Sequence, residues 1–219
     1  MSRTIHQADA LVWLKENELP EGSSVITSLP DFSEFPAFSL AQWKEWFVGA
    51  ASLVLNSCPK EGVVIFYQRD SKLDGAWIDK GYLCQKAAEA TGHHQVWHKI
   101  VCRAPPGQTT YGRPAYSHLL CFSRTVRPAL GIANPDVIVN AGKSTWARGM
   151  GEHACRTACV FVKEQTKSTT IVDPFCGHGL VLAIANEMGF RAIGVELGRK
   201  RAERARELEF RGPGHFGYR

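Results

Sequence analysis

Apolar positions along the 219-residue chain follow two alternating periods. "LAQWKEWFVGAASLVLNSC" sets Leu40, Trp43, Trp46, Phe47, Ala50, Leu53 and Val54 at helical spacing, which predicts an amphipathic helix. "EGVVIFYQRD" is a continuous apolar run, the pattern of a strand buried on both faces of a parallel sheet. "TIHQADALVWL" reads as a short strand that turns into a helix at Asp9–Ala10, and "SSVITSLPDF" as a strand, Val25 to Thr27, that breaks at Pro30. "IDKGYLCQKAAEATG" reads as a helix stopped by Gly92. Two β-rich runs, "HQVWHKIVCR" and "YSHLLCFSR", flank the turn-rich "APPGQTTYGRPA" and predict a hairpin. "HACRTACVFVKEQT" reads as a helix. From Thr169, "TTIVDPFCGHGLVLAIANEMGFRAIGVEL" reads as a strand, a tight glycine turn, a helix and a second strand ending on a glutamate. "RKRAERARELEF" closes the series as a helix with a solvated charged face. Strands alternating with helices predict an α/β fold, a mostly parallel sheet covered on both faces. Ligands of such sheets lie outside the carboxyl ends of the strands.

Composition narrows this little. At 44% hydrophobic and 21% charged, the chain is of ordinary globular type, and its length predicts one domain over residues 1–219. No apolar run approaches a membrane span. The opening "MSRTIHQADALVWLKENELPEG" has acids at Asp9, Glu16 and Glu18 rather than a signal-peptide layout. The expectation is an intracellular, cytoplasmic protein without a membrane partner, or a nuclear one in a eukaryote. The seven cysteines include no C-x-x-C pair and mostly sit in apolar company, as buried free thiols do. Cys155 and Cys159 lie one helical turn apart near His153, but no second pair completes a metal site, so no metal is expected. The net charge of +5 permits a nucleic-acid partner without requiring one.

The glycine turn carries the candidate chemistry. Asp173 ends a strand, Gly177 and Gly179 follow, and a helix begins. Glycines there let backbone N–H groups approach a ligand, and the helix start adds a favourable dipole. Seventeen residues after Gly179, Glu196 ends the next strand, where a carboxylate can accept both hydroxyls of a ribose. A dinucleotide site would want a third glycine where Leu182 stands, and Asp173 would repel a pyrophosphate. An ammonium would be attracted instead, which favours S-adenosyl-L-methionine.

"VDPFCGHGLVLAIANEMGFRAIGVEL" resembles motifs I and II of Rossmann-like methyltransferases. The chain from about residue 3 to 210 resembles the circularly permuted amino-methyltransferases of nucleic acids, the N4-cytosine and N6-adenine group. The resemblance implies that fold in permuted order: a mostly parallel seven-stranded sheet with a C-terminal antiparallel hairpin element. It implies S-adenosyl-L-methionine as cofactor, held within residues 146–151 and 171–197. The cofactor residues it implies are Asp9, Trp146, Gly149, Met150, Asp173, Phe175, Cys176, Gly177, Gly179 and Glu196, with Arg148 and Gly151 in the same segment. Asp9 also suits a helix N-cap.

The family's catalytic "SPPY" or "DPPY" is matched by Ser28-Leu29-Pro30-Asp31, followed by Phe32. In the family a polar side chain and a backbone carbonyl accept both protons of an amino group, freeing its lone pair, and an aromatic stacks on the base. Ser28 and the Leu29 carbonyl retain the acceptors, and Pro30 retains the turn. Asp31 replaces the aromatic and is a candidate general base. A plain strand-to-helix turn is the alternative. Substrate candidates are Phe32, with Glu34 and Phe35 near it, then Lys99, and Arg103, Tyr111, Arg113 and Tyr116 of the hairpin loop 103–116. Arginines suit phosphate and aromatics suit an unpaired base. His98 and His118 read as structural. The tail "EFRGPGHFGYR" reads as disordered or RNA-touching. Only eighteen residues separate "HLLCFSR" from "KSTWARGMG", too few for a base-reading insert. The expected partner is therefore nucleic acid, RNA such as tRNA or rRNA before DNA. A DNA amino-methyltransferase, a small-molecule or protein methyltransferase, and a non-catalytic cofactor- or RNA-binding subunit are the alternatives.

Overall fold

The structure is a computed structural model and describes residues 2–128 and 134–218. β1 (Arg3–Gln7) leads into α1 (Ala10–Glu16). β2 (Ser23–Thr27) is followed by a 3-10 turn (Phe32–Glu34), α2 (Leu40–Ser57) and β3 (Val64–Gln68). A small hairpin, β4 (Ser71–Leu73) and β5 (Ala76–Ile78), precedes α3 (Lys80–Ala90). β6 (His94–Cys102) and β7 (Tyr116–Ser123) form the expected antiparallel pair, and β8 (Val137–Ile138) follows. Then come α4 (Glu152–Gln165), β9 (Thr170–Asp173), α5 (Leu180–Glu187), β10 (Arg191–Glu196) and α6 (Arg199–Glu207). β11 (Leu208–Phe210) and β12 (Phe216–Tyr218) end the described chain.

The main sheet runs β1-β10-β9-β2-β3-β7-β6-β8. Its first five strands are parallel, and β7 is antiparallel to both β3 and β6. Seven of these strands are the expected ones. The eighth, β8, is two residues that pair with Ile100 and Val101 at the sheet edge, too short to leave a period in the sequence. Alternate residues of each central strand feed two cores. Val25, Val64, Phe66 and Val172 pack under α1, α2 and α3, while Ile26, Ile65 and Ile171 pack under α4 and α5. That is why "VVIFY" is apolar without interruption.

Two further elements differ from expectation. The β4–β5 hairpin turns at Asp74-Gly75, both at positive φ. The sequence does contain this signal, Asp-Gly between short runs. The tail is folded rather than loose. β11 pairs with β12, Phe210 and Phe216 meet at 5.8 Å, and the Gly214 N–H donates to the buried Glu152 carboxylate at 2.7 Å.

The parallel strands end together along one edge. Gln7 stands beside Glu196 and Gly194 beside Asp173, with Thr27 and Gln68 ending the next two strands. The 103–116 loop leaves β6 at this same edge, because Cys102 pairs with Tyr116 and His118 pairs with Gln68. Among the described residues no helix is long and apolar enough to cross a membrane.

Candidate active site

A cavity of about 390 Å³ opens along this edge. Its lining includes Asp9, Trp146, Phe175, Gly177 and Glu196 together with Ser28, Leu29, Pro30, Asp31, Arg103 and Arg113. Residues spread from 9 to 196 in sequence thus share one chamber.

The glycine turn is held by its own acids. Gly177 has φ +53°, and its N–H donates to Glu196 Oε2 at 3.1 Å. Glu196 Oε1 accepts the Gly198 N–H at 2.7 Å and Arg201 Nε at 2.8 Å. A carboxylate has about four acceptor positions, so these three donors leave little room for two hydroxyls unless Arg201, whose side chain is the more exposed of that ion pair, moves aside. Asp9 caps α1 through Oδ1, which accepts from the Leu11 and Val12 N–H groups, and it also lines the cavity. Asp9 is thus a helix N-cap whose side chain also borders the cavity. Trp146 lines the cavity and leans on the His178 ring at 5.7 Å.

Other expected cofactor residues stand behind the wall. Asp173 is 4% exposed and accepts from Thr27 Oγ1 at 2.6 Å and from the Phe175 N–H at 3.2 Å. Burial pushes its carboxyl up to about 7 against those two hydrogen bonds, and Glu196 adds to the rise. It braces the turn and does not face the chamber, contrary to the attraction inferred from its charge. Cys176 is buried under β10, and Met150 lies in the core. A side chain at Gly179 would meet Ala205 at 2.9 Å, so this glycine serves the approach of α6. A side chain at Gly149 would meet the Trp146 ring at 2.8 Å, so this one gives that ring its place.

Of the substrate candidates, Glu34, Phe35, Arg103 and Arg113 line the cavity, and Phe32, Lys99, Tyr111 and Tyr116 do not. Phe32 packs edge-on against the buried Trp43, 5.9 Å between ring centres. Lys99 is 4% exposed and tied to the Pro135 carbonyl at 3.0 Å and Asp136 at 3.3 Å. Tyr111 is 93% exposed at the loop tip, and Tyr116 sits edge-on to His118. Strand alternation and loop geometry decide these directions, and neither is visible in residue type.

Asp31 sits in the cavity wall, but its oxygens are engaged. Oδ1 accepts the Ser33 N–H at 3.1 Å, and Oδ2 accepts Lys80 Nζ at 2.6 Å and Ser71 Oγ at 2.9 Å. Burial alone would raise this carboxyl, yet the Lys80 ammonium and these hydrogen bonds hold it well below the usual carboxylate range. Such a group is a poor proton acceptor, which weighs against the general-base reading of Asp31. Sequence reasoning missed Lys80, Gln68, Arg69 and Arg201, all on the cavity wall. Lys80 and Arg69 follow the "FYQRD" strand and its hairpin, so the strand end was the available signal. Asp70, Asp79 and His118 bring ligand atoms within 4.8 Å of one another. Asp70 and His118 are already hydrogen-bonded at 2.9 Å, as a structural pair would be. All seven cysteines are buried and free.

No protein-family model matches the sequence, and no curated protein sequence matches it. Solved structures do match. One is a protein of Thermus thermophilus, provisionally described as a DNA modification methylase and complexed with S-adenosyl-L-methionine. It shares 18% identity at a TM-score of 0.69, with 94% of this chain and 93% of that chain covered. PvuII DNA methyltransferase, cytosine-N4-specific, matches at a TM-score of 0.72 and 14% identity over 94% of this chain and 85% of that one. The fold is the Rossmann-like methyltransferase fold. A third structure, the M1.HpyAVI–SAM complex, covers 93% of this chain and 97% of its own at a TM-score of 0.60 and 15% identity. At these identities the likeness is one of fold, and it extends nearly end to end.

Proposed function

We propose that this chain is an S-adenosyl-L-methionine-dependent methyltransferase that acts on an exocyclic amine of a nucleic-acid base, with DNA as the substrate. One observation carries the reading: the glycine turn with Glu196 and the Ser28-Leu29-Pro30-Asp31 segment open into a single cavity. The strand order supports the permuted arrangement, since β9, late in the chain, pairs with β2, early in it. The preference for RNA rests on the want of a base-reading insert. The Thermus protein matches this chain at nearly equal length and is described as acting on DNA, so a short chain does not favour RNA. Part of the segment counted for that argument, residues 129–133, lies outside the described residues.

The residues fit this cofactor. Glu196 offers its carboxylate to ribose hydroxyls, Gly177 and Phe175 supply close backbone and an apolar face, and Asp9 offers the oxygen its cap does not use. When bound, S-adenosyl-L-methionine supplies an activated methyl group. Ser28 Oγ and the Leu29 carbonyl would accept hydrogen bonds from the target amine and leave its lone pair free to take the methyl group; as the N–C bond formed the sulfonium S–C bond would break, leaving the thioether, and the surplus amine proton would pass to solvent in the open cavity. An amine conjugated with an aromatic ring needs that help rather than a strong base, which agrees with a carboxylate at Asp31 engaged by Lys80. Asp31 instead holds the Lys80 ammonium in the wall. Phe35 and Trp46, whose rings lie 4.4 Å apart on the cavity, replace the missing family aromatic as a stacking surface.

The test is methyl transfer from labelled S-adenosyl-L-methionine to unmethylated DNA and, separately, to total RNA, read by nucleoside mass spectrometry. Methylated cytosine or adenine amine in DNA is expected. Transfer to RNA alone overturns the substrate, and cofactor binding with no transfer to either favours a non-catalytic subunit. Glu196→Ala is expected to weaken cofactor binding by roughly 1–3 kcal/mol in calorimetry, the cost of losing a charged hydrogen-bond partner.

A further inference from the structure

The cavity is polarised. The turn side carries Asp9 and Glu196, with Arg201 paired to Glu196, whereas the β3 end carries Arg69, Lys80, Arg103 and Arg113. Lys80 is answered by Asp31 at 2.6 Å. The nearby Glu34 is engaged with Arg148 at 3.9 Å. The three arginines have no carboxylate partner among the described residues. Arg69 donates Nε to the Pro114 carbonyl at 2.9 Å. Arg103 donates to the Tyr67 hydroxyl and the Ala147 carbonyl, each at 2.8 Å. These bonds aim the two guanidinium groups without neutralising them. The half-buried Arg113 guanidinium has no hydrogen-bond partner among the described residues.

The arginines act on one another. Burial, then the charges of Arg103 and Arg113, lower the proton affinity of Arg69. Burial lowers that of Lys80 too, and Arg113 adds to the effect although Asp31 opposes it. Gln68 lies on the same wall, 2% exposed, with its Nε2 unpartnered. A buried amide N–H without a partner is costly. Bringing Arg69, Lys80, Arg103 and Arg113 together with only Asp31, among the described residues, in direct ion pair to them is costly as well.

A wall of donors with surplus positive charge complements a group that has several acceptor oxygens and negative charge. Phosphate has that chemistry, and guanidinium forks match its geometry. We propose that Arg69, Arg103 and Arg113, with the Gln68 amide, form a phosphate subsite inside the cavity, so that the target is taken as a nucleotide whose own phosphate is bound beside its base. This rests on the proposed methyltransferase function and names the substrate unit of that same site.

Calorimetry on the full chain tests it, with deoxycytidine and deoxyadenosine compared with their 5′-monophosphates. The monophosphates are expected to bind roughly ten- to hundredfold more tightly than the nucleosides, the range of a charged hydrogen bond or two. Arg113→Ala is expected to abolish most of that difference and Arg113→Lys to keep part of it. Equal affinity for nucleoside and nucleotide overturns the proposal, as does an undiminished difference in Arg113→Ala. A single-stranded oligodeoxynucleotide with one neutral methylphosphonate beside the target base separates the two sources of phosphate. Weaker binding than the native strand assigns the subsite to polynucleotide, and unchanged binding assigns it to free mononucleotide. S-adenosyl-L-methionine is titrated separately: its failure to bind defeats the proposed function, while the phosphate preference still decides the subsite.

Discussion

Asp31 and Asp173 stand at neighbouring strand ends and are displaced in opposite directions, for one physical reason each. Asp31 has an ammonium at 2.6 Å; Asp173 has only neutral donors and lies deeper. Asp31→Asn leaves the Lys80 ammonium, 3% exposed, without its counter-charge. It is expected to lose about 3–5 kcal/mol of stability, the usual cost of breaking a buried ion pair. Adding Lys80→Met removes the stranded charge and is expected to restore most of the loss in urea titrations. Unchanged stability in the single variant would show that the pair is solvated. Asp173 titrates near 7 when folded and near 3.8 when unfolded. Its contribution is complete below about pH 4 and is lost as the pH rises through about 7. Asp31, held low, contributes above its ordinary range and loses that contribution only in strong acid. Asp173→Asn is therefore expected to flatten the decline in unfolding midpoint between about pH 4 and pH 7, measured against the parent chain.

Among elements, the contact between α5 and β10 carries the motif. In a dinucleotide fold the third glycine lets helix and strand approach. Here Leu182 occupies that position, and the space comes from the strand instead: a side chain on Gly194 would lie 2.4 Å from Leu182 Cδ1 and 2.9 Å from Cys176 Sγ. Gly194→Ala is expected to cost about 1–3 kcal/mol through overpacking. It should also weaken cofactor binding, because Cys176 precedes Gly177 in the turn. A variant that melts like the parent would show the helix free to shift. The same element scale explains the hairpin loop. Arg69 holds it to the sheet edge through the Pro114 carbonyl, and Arg103 through the Tyr67 hydroxyl and the Ala147 and Gly149 carbonyls before α4, so its arginines point inward while Tyr111 points out.

For the whole molecule, the chain closes by returning its end to the sheet's flank. Gly214 donates to Glu152, at the first turn of α4, and α4 leads directly into β9. Removing residues 212–219 deprives that buried carboxylate of its donor and β11 of its partner. The expected loss is about 1–3 kcal/mol, a fall of roughly 2–4 °C in melting temperature per kcal/mol for a chain of this size. Cofactor affinity should be unchanged, since no described residue of the tail lines the cavity.

The local sequence determined the elements and the turn. Apolar period separates helix from strand in β3 and α2, and the glycine turn between β9 and α5 reads directly from "DPFCGHG". Even the β4–β5 hairpin, which apolar period does not reveal, is written in Asp74-Gly75. These are short-range effects, set by backbone sterics and by which face must be buried. The tertiary structure alone decided which polar groups meet. Lys80 lies 49 positions from Asp31, and Arg103 lies 44 from Ala147. Charge and hydrogen-bond energies depend on distance and burial, which the order of residues does not encode locally. Hence Asp31, a candidate base in the sequence, stands in an ion pair with Lys80, Asp173, a candidate ligand, stands buried behind the cavity wall, and the arginine wall became visible only when β3, the hairpin loop and the turn converged on one edge.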